Sequence, residues 1–238
     1  MDVSAAPSSP SESLVGRVMA DVSDYIRKNS LEPGATLPSE AAFAARAGVS
    51  RAVAREGFRG LAALRLIDVG NGRRARVALA DESVVSLLID HSVHTKQITV
   101  QQILDVRRTI ELRTVALAAL RRTEDEAGEI VEIASVMRRS FALPAKVMEL
   151  DIAFHEAIAR ASRNPLFALL VGSFRVVTRE TWPIGWAIRS TDKERVESIE
   201  GHSVIATAIQ DRNPQAAEKA MANHFDLTVK ALLNAGVN

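Results

Sequence analysis

Leu37-Pro-Ser-Glu40, followed at a short remove by Ala47-Gly-Val-Ser-Arg51-Ala-Val-Ala-Arg55-Glu56, decides the fold of the first third of the chain. Ser39 can accept hydrogen bonds from the free amides that open a helix, which predicts a short helix over about residues 39 to 46. Gly48 has the backbone freedom for a sharp turn, and Ser50 caps a second helix beyond it. On that helix Arg51 and Arg55 stand at i and i+4, so their guanidinium forks leave one face together, able to meet guanine edges or phosphates in a DNA major groove. An isolated pair of this kind would be no more than a solvated helix face. The surrounding sequence makes it a DNA-reading element, with Val53 and Phe58 turned inward.

Upstream, Leu14, Val15, Val18, Met19, Val22 and Ile26 recur at helical spacing. They predict an amphipathic helix, closed by Asn29 and the Pro33-Gly34 turn, that buttresses the DNA-reading pair. Downstream, Leu61, Leu64, Leu66 and Ile67 continue the apolar pattern. Asp68-Val-Gly-Asn-Gly72-Arg-Arg-Ala-Arg76-Val77 then reads as strand, Gly-rich turn and strand, with Arg73 and Arg74 placed to reach DNA from the turn. Between residues 46 and 76 eight arginines face only Glu56 and Asp68, although the whole chain carries a net charge of +1. Positive charge is concentrated where phosphate binding requires it.

Over about residues 12 to 78 the chain resembles the GntR family of bacterial winged helix-turn-helix regulators. The resemblance rests on Pro33-Gly34, Leu37-Pro-Ser-Glu40, Gly48-Val-Ser-Arg51, Arg55-Glu56 and the Gly72 wing. There are departures: Ala41 stands where the family often has a DNA-contacting arginine, Gly57 falls inside the recognition helix, and Arg65 and Arg74 occupy positions that are commonly glycine.

With 238 residues the chain has room for two domains of ordinary size. Hydrophobic residues at 47% and charged residues at 25% describe a globular protein, and aromatics at 4% leave Leu, Ile, Val and Ala to build a helical core. The absence of cysteine excludes disulfides and thiolate metal sites and fits a reducing cytoplasm. No run of about 20 apolar residues suggests a membrane span. Residues 1 to 13 are polar and rich in Pro and Ser, without the apolar core of a secretory signal, and are expected to form a disordered arm. Residues 14 to 78 form the winged helix-turn-helix domain, 79 to 82 a tight linker, and 83 to 236 an all-helical domain.

That second domain is expected to be an antiparallel bundle of six or seven helices, so the fold class is mainly α with a small β wing. Breaks are expected at 96–99, near Thr123, at Leu143-Pro144, at Asn164-Pro165, from Trp182-Pro183 to Ser190, and at 211–214. Thr123, Thr191 and Asn213 supply helix caps, the last with Pro214 at the first helical position.

Asp151 and His155 are i and i+4 on one helix, so a carboxylate and an imidazole can grip one cation. His202 lies 11 residues before Asn213 and His224 lies 11 after it. Residues equidistant from the bend of a helical hairpin sit at one height, so a four-helix core can gather Asp151, His155, His202 and His224. One oxygen and three imidazoles suit a divalent ion, zinc first, with nickel, manganese or iron also compatible. His91 and His94 lack such partners and are expected at the surface.

Over about residues 82 to 234 the chain resembles the FCD ligand-sensing domain of the FadR-type branch of the same family. The matching residues are Asp105-Val-Arg107-Arg-Thr-Ile-Glu111, Asp151 with His155, Asn164-Pro165, His202 and His224. The resemblance implies that the Asp and His positions hold a metal, that a small carboxylic or sugar acid binds beside it, and that Arg107 meets the carboxylate. A helix-surface ion pair between Arg107 and Glu111 is the alternative. Trp182 walls the pocket on this reading, or packs between helices.

These features together predict a cytoplasmic, homodimeric transcription regulator, a repressor rather than an enzyme, that reads a palindromic operator in double-stranded DNA and responds to an acid effector. Dimerism follows because one helix reads only a few base pairs. The rival is a metal-dependent hydrolase with a nucleic-acid-binding appendage, for which Glu156 is the only general base on offer. A purely structural metal is a third reading.

Overall fold

Three serines start the first three helices. Ser13, Ser39 and Ser50 each accept a hydrogen bond from the amide three residues on, opening α1 (Leu14–Lys28), α2 (Glu40–Ala47) and α3 (Arg51–Ala63). The chain is described by a computed structural model over residues 13–70 and 72–237. All but Ser13 of the expected N-terminal arm lies outside the described residues. Contacts divide the chain into two units, residues 1–84 and 85–238.

In the first unit Gly48 ends α2 with φ of 65°, a left-handed conformation that lets α3 leave at a new angle. Gly57 is the point of closest approach between α1 and α3, since a Cβ there would lie 2.6 Å from Val18 Cγ1. The glycine that departs from the family pattern is therefore a packing device. β1 (Ile67–Asp68) pairs antiparallel with β2 (Arg76–Val77). The segment after Pro33 joins them, because Leu37 donates to the Ala75 carbonyl at 2.8 Å and Val77 to the Ala35 carbonyl at 2.9 Å. The residues just past the expected Pro33-Gly34 turn thus supply a short third edge to the wing. Val18, Val22, Phe43, Phe58, Leu61 and Ile67 fill the core, while Leu64 and Leu66 stay exposed. Arg65 has φ of 55° just past the end of α3, which explains why glycine is common at this position.

The second unit is all helical: α4 (Ser83–His94), α5 (Val100–Arg121), α6 (Glu124–Arg139), α7 (Pro144–Ala161), α8 (Pro165–Ser173), α9 (Arg175–Ile188), α10 (Asp192–Gln210) and α11 (Pro214–Asn234). Capping boxes on Thr99, Thr123 and Thr191 open α5, α6 and α10. Helix α11 packs along α5 and α10, α6 lies against α10 and α7, and α7 also packs on α5. Phe154, Ile158, Met137, Ile205, Ile209, Met221 and Phe225 meet at the centre.

Two breaks differ from expectation. The chain is helical through Pro183 and stops only at Arg189, although a proline cannot donate to the carbonyl four residues back. A break at Phe174, not foreseen, separates α8 from α9 and brings the described helices of this unit to eight. The carbonyls loosened there are taken by hydroxyls: Ser173 donates to Leu170 at 2.6 Å and Ser86 to Ser173 at 3.2 Å. That satisfaction lets the chain bend without orphaned backbone groups.

Candidate metal centre and nucleic-acid surface

Asp151 and His155 stand one turn apart on α7, His202 on α10 and His224 on α11. The hairpin folds at Asn213, and the His202 and His224 rings come to 4.6 Å between centroids. One ligand atom from each of the four residues lies within 4.8 Å of the others. Asp151, His155 and His202 are buried, and His224 is half-buried. Phe154 and Phe225 wall the cluster.

The imidazoles are aimed from behind. Glu111, on α5, accepts a hydrogen bond from His155 Nδ1. That bond fixes the tautomer and leaves the lone pair of Nε2 facing away from Glu111, where this buried atom has no hydrogen-bond partner. His202 Nδ1 lies 3.2 Å from the Ser198 carbonyl and 3.3 Å from that of Ile199, while Nε2 lies 2.9 Å from Asp151 Oδ1. With Nδ1 protonated, the Nε2 lone pair of a neutral ring would meet a carboxylate oxygen head-on. Such a contact holds only with a cation, a proton or a metal, between the two atoms. The donor set therefore fits a divalent ion.

Electrostatics points the same way. Burial alone would raise the Asp151 carboxyl, but the His202 hydrogen bond and the neighbouring imidazoles hold it well below the usual carboxylate range. Burial pushes His224 well below an ordinary histidine, and the other two imidazoles push it further. Glu111 resists its own burial through Arg107 and His155, and is lowered. An ionised carboxylate beside an imidazole held uncharged is a pairing that a metal can use.

Arg107 donates through Nε to Glu111 at 2.5 Å and through Nη1 to the Thr178 hydroxyl at 2.8 Å. The ion pair foreseen as an alternative is present, but it is buried rather than on a helix surface. Arg107 and Trp182 both line a cavity beside the centre, together with Asp151, Trp186, Arg189 and His224. Trp182 stacks on Trp186 at 5.0 Å, one turn along α9. Glu111 was read from sequence only within the Asp105–Glu111 stretch and as an ion-pair partner of Arg107, and Trp186 and Arg189 were not singled out. Glu156 is held by Arg175 at 2.6 and 2.9 Å on another face of α7, so the hydrolase reading loses its base. His91 and His94 are exposed as expected; His94 lies near Asp90 and Glu180, and is raised chiefly by its bond to the Asp90 carbonyl.

In the first unit Ser50, Arg51 and Arg55 are exposed at the start of α3, and Arg73 and Arg74 are exposed in the wing. Among the described residues Arg55 has one ion-pair contact, an open one of 3.5 Å with Glu40. Arg76 is committed to the Gly34 carbonyl at 2.8 Å.

A winged helix-turn-helix unit with an exposed arginine face, followed by a helical unit enclosing an Asp/His cluster, defines a DNA-binding transcription regulator. The comparisons agree: residues 14–77 match the bacterial regulatory proteins of the gntR family, and residues 102–227 match the FCD domain. The chain belongs to the gntR family, in its FCD-bearing branch. It is 32% identical to the HTH-type transcriptional regulator LutR of Bacillus subtilis, over 84% of this chain and 92% of that one. It is 27% identical to the HTH-type transcriptional repressor NanR of Cronobacter sakazakii, over 88% and 81%. It is 25% identical to the galactonate operon transcriptional repressor of Escherichia coli, over 86% and 90%. Streptococcus agalactiae GntR shares the fold with a TM-score of 0.65 and 23% identity, covering 91% of this chain and 99% of that chain. No helix among the described residues is long and apolar enough to cross a membrane.

Proposed function

We propose that this regulator is a cytoplasmic homodimeric repressor whose Asp151, His155, His202 and His224 hold one divalent metal, zinc first among candidates, with a small carboxylic or sugar acid bound beside it. His155 carries the reading. Its Nδ1 is taken by Glu111, and its enclosed Nε2 has no hydrogen-bond partner. A buried polar atom left unpaired costs about 1 to 3 kcal/mol, which a shared cation offsets. Arg107 and Trp182 belong to the effector site, whose cavity of about 50 Å³ has room for roughly one or two water molecules. Even an acid of a few carbons therefore enters only if a wall such as Trp182 moves. A relative named for the galactonate operon supports acids of this class.

Ser50, Arg51 and Arg55 read a half-site in the major groove, and Arg73 and Arg74 grip the phosphates beside it. Two copies related by a two-fold axis read the palindrome. The acid switches the protein only by binding two arrangements of the dimer unequally. A gel-shift titration of metal-loaded protein tests this: the effective acid is expected to change operator affinity by about fivefold or more. No change with any acid, once the cavity is shown to be occupied, contradicts the switch.

A further inference from the structure

Two arginines border the cavity beside the His/Asp cluster, and their circumstances differ. Arg107 is engaged on three sides, by Glu111, by the Thr178 hydroxyl, and by the face of Phe225 at 5.5 Å. Its charge is already answered by a buried carboxylate. Arg189 ends α9, is half-buried, and lines the same cavity. Among the described residues, its guanidinium has one hydrogen bond, to the Gly185 carbonyl at 2.5 Å, and no carboxylate within ion-pair distance.

The acids whose charges reach Arg189 are Asp151 and Glu194, and each is engaged elsewhere. Asp151 bonds His202, and Glu194 caps α10 by accepting from Thr191. Burial lowers the Arg189 pKa, yet a guanidinium stays charged in a protein. The guanidinium lies over the Gly185 turn, where a Cβ would stand 3.4 Å from Nη1, at ordinary van der Waals distance. The cavity therefore holds a partly desolvated cation that no carboxylate of the described residues touches, and its fork geometry matches a carboxylate.

We infer that Arg189 receives the carboxylate of the bound acid, while Arg107 is a positioning residue that acts through Glu111 on His155. The inference rests on the reading of this cavity as an acid-binding site. Its consequence is selectivity for charge: an acid binds, and its neutral amide of the same shape binds poorly.

Trp182 and Trp186, the only tryptophans in the chain, both line the cavity, so intrinsic fluorescence reports its occupation. Full-length zinc-loaded protein is titrated with L-lactate, L-malate and D-galactonate, each beside its primary amide. At least one acid is expected to change the emission saturably and to bind about tenfold or more tightly than its amide. In Arg189→Gln that preference should vanish with zinc content unchanged, and Arg189→Lys should restore part of it. Arg107→Gln should instead lower zinc affinity, and regain acid binding when zinc is saturating. Unchanged acid affinity in Arg189→Gln, with acid binding lost in zinc-saturated Arg107→Gln, overturns the inference and leaves acid sensing intact. Silence from every acid in the zinc-loaded protein overturns both.

Discussion

At the residue scale, the arrangement around His155 depends on a carboxylate that need never touch the metal. Glu111 sets which nitrogen of His155 carries the proton, and Arg107 keeps Glu111 ionised in a buried place. Glu111→Gln keeps the shape and removes the charge. It should weaken metal binding by about 10-fold to 100-fold, the usual effect of losing a group that orients a ligand. Competition against a chelator of known affinity measures this, and an unaltered affinity would reduce Glu111 to a packing partner of Arg107. From sequence, Glu111 was visible only as the i+4 neighbour of Arg107, because its bond to His155 spans 44 residues. A signal was nevertheless present. Glu111 stands in the stretch Ile110 to Leu120, where Arg113 and Thr114 are the only other polar residues, and a lone acid in such a run needs a buried partner. Arg189 carried no such mark, since its lack of a partner is a property of the folded cavity alone.

At the element scale, the α10–α11 hairpin was the most legible feature. Asn213 and Pro214 fix the bend, and equal spacing on its two arms brings His202 opposite His224. The helix-turn-helix was equally plain, because Ser39, Gly48 and Ser50 are local signals for local structure. Pro183 misled because proline removes one helical hydrogen bond without forbidding the helix when neighbouring turns are packed, as those bearing Trp182 and Trp186 are. The Phe174 break escaped notice because serine hydroxyls, one from Ser86 on another helix, satisfy it.

Two predictions belong at this scale. Gly57→Ala places a methyl against Val18 where α1 and α3 meet, and should destabilise the first unit by ~1 to 2 kcal/mol, overpacking outweighing the better helix propensity of alanine. Urea unfolding reads the change; unaltered stability would mean that the two helices separate freely. Arg51→Ala and Arg55→Ala should each weaken operator binding by ~1 to 3 kcal/mol if the lost side chain reads a base. Wild-type affinity in both would remove α3 as the recognition helix.

At the scale of the whole molecule, the regulator joins a unit whose exposed arginines suit DNA to one whose buried imidazoles suit a cation. Metal binding to the folded state alone should stabilise the second unit, by about 4 kcal/mol when zinc stands at a thousand times its Kd. A calorimetric scan of chelator-stripped protein with and without zinc should show that gain as a raised Tm, and coincident scans would argue against a metal bound only by the native state. The most direct test is equilibrium dialysis of chelator-stripped protein against zinc, with metal content measured per chain. The account predicts one zinc per chain in the wild type and a loss of about tenfold or more in affinity for His155→Ala and for His202→Ala, each still folded. A wild type that takes up no zinc or other divalent ion, or a His155→Ala protein that holds it as tightly, would contradict the account.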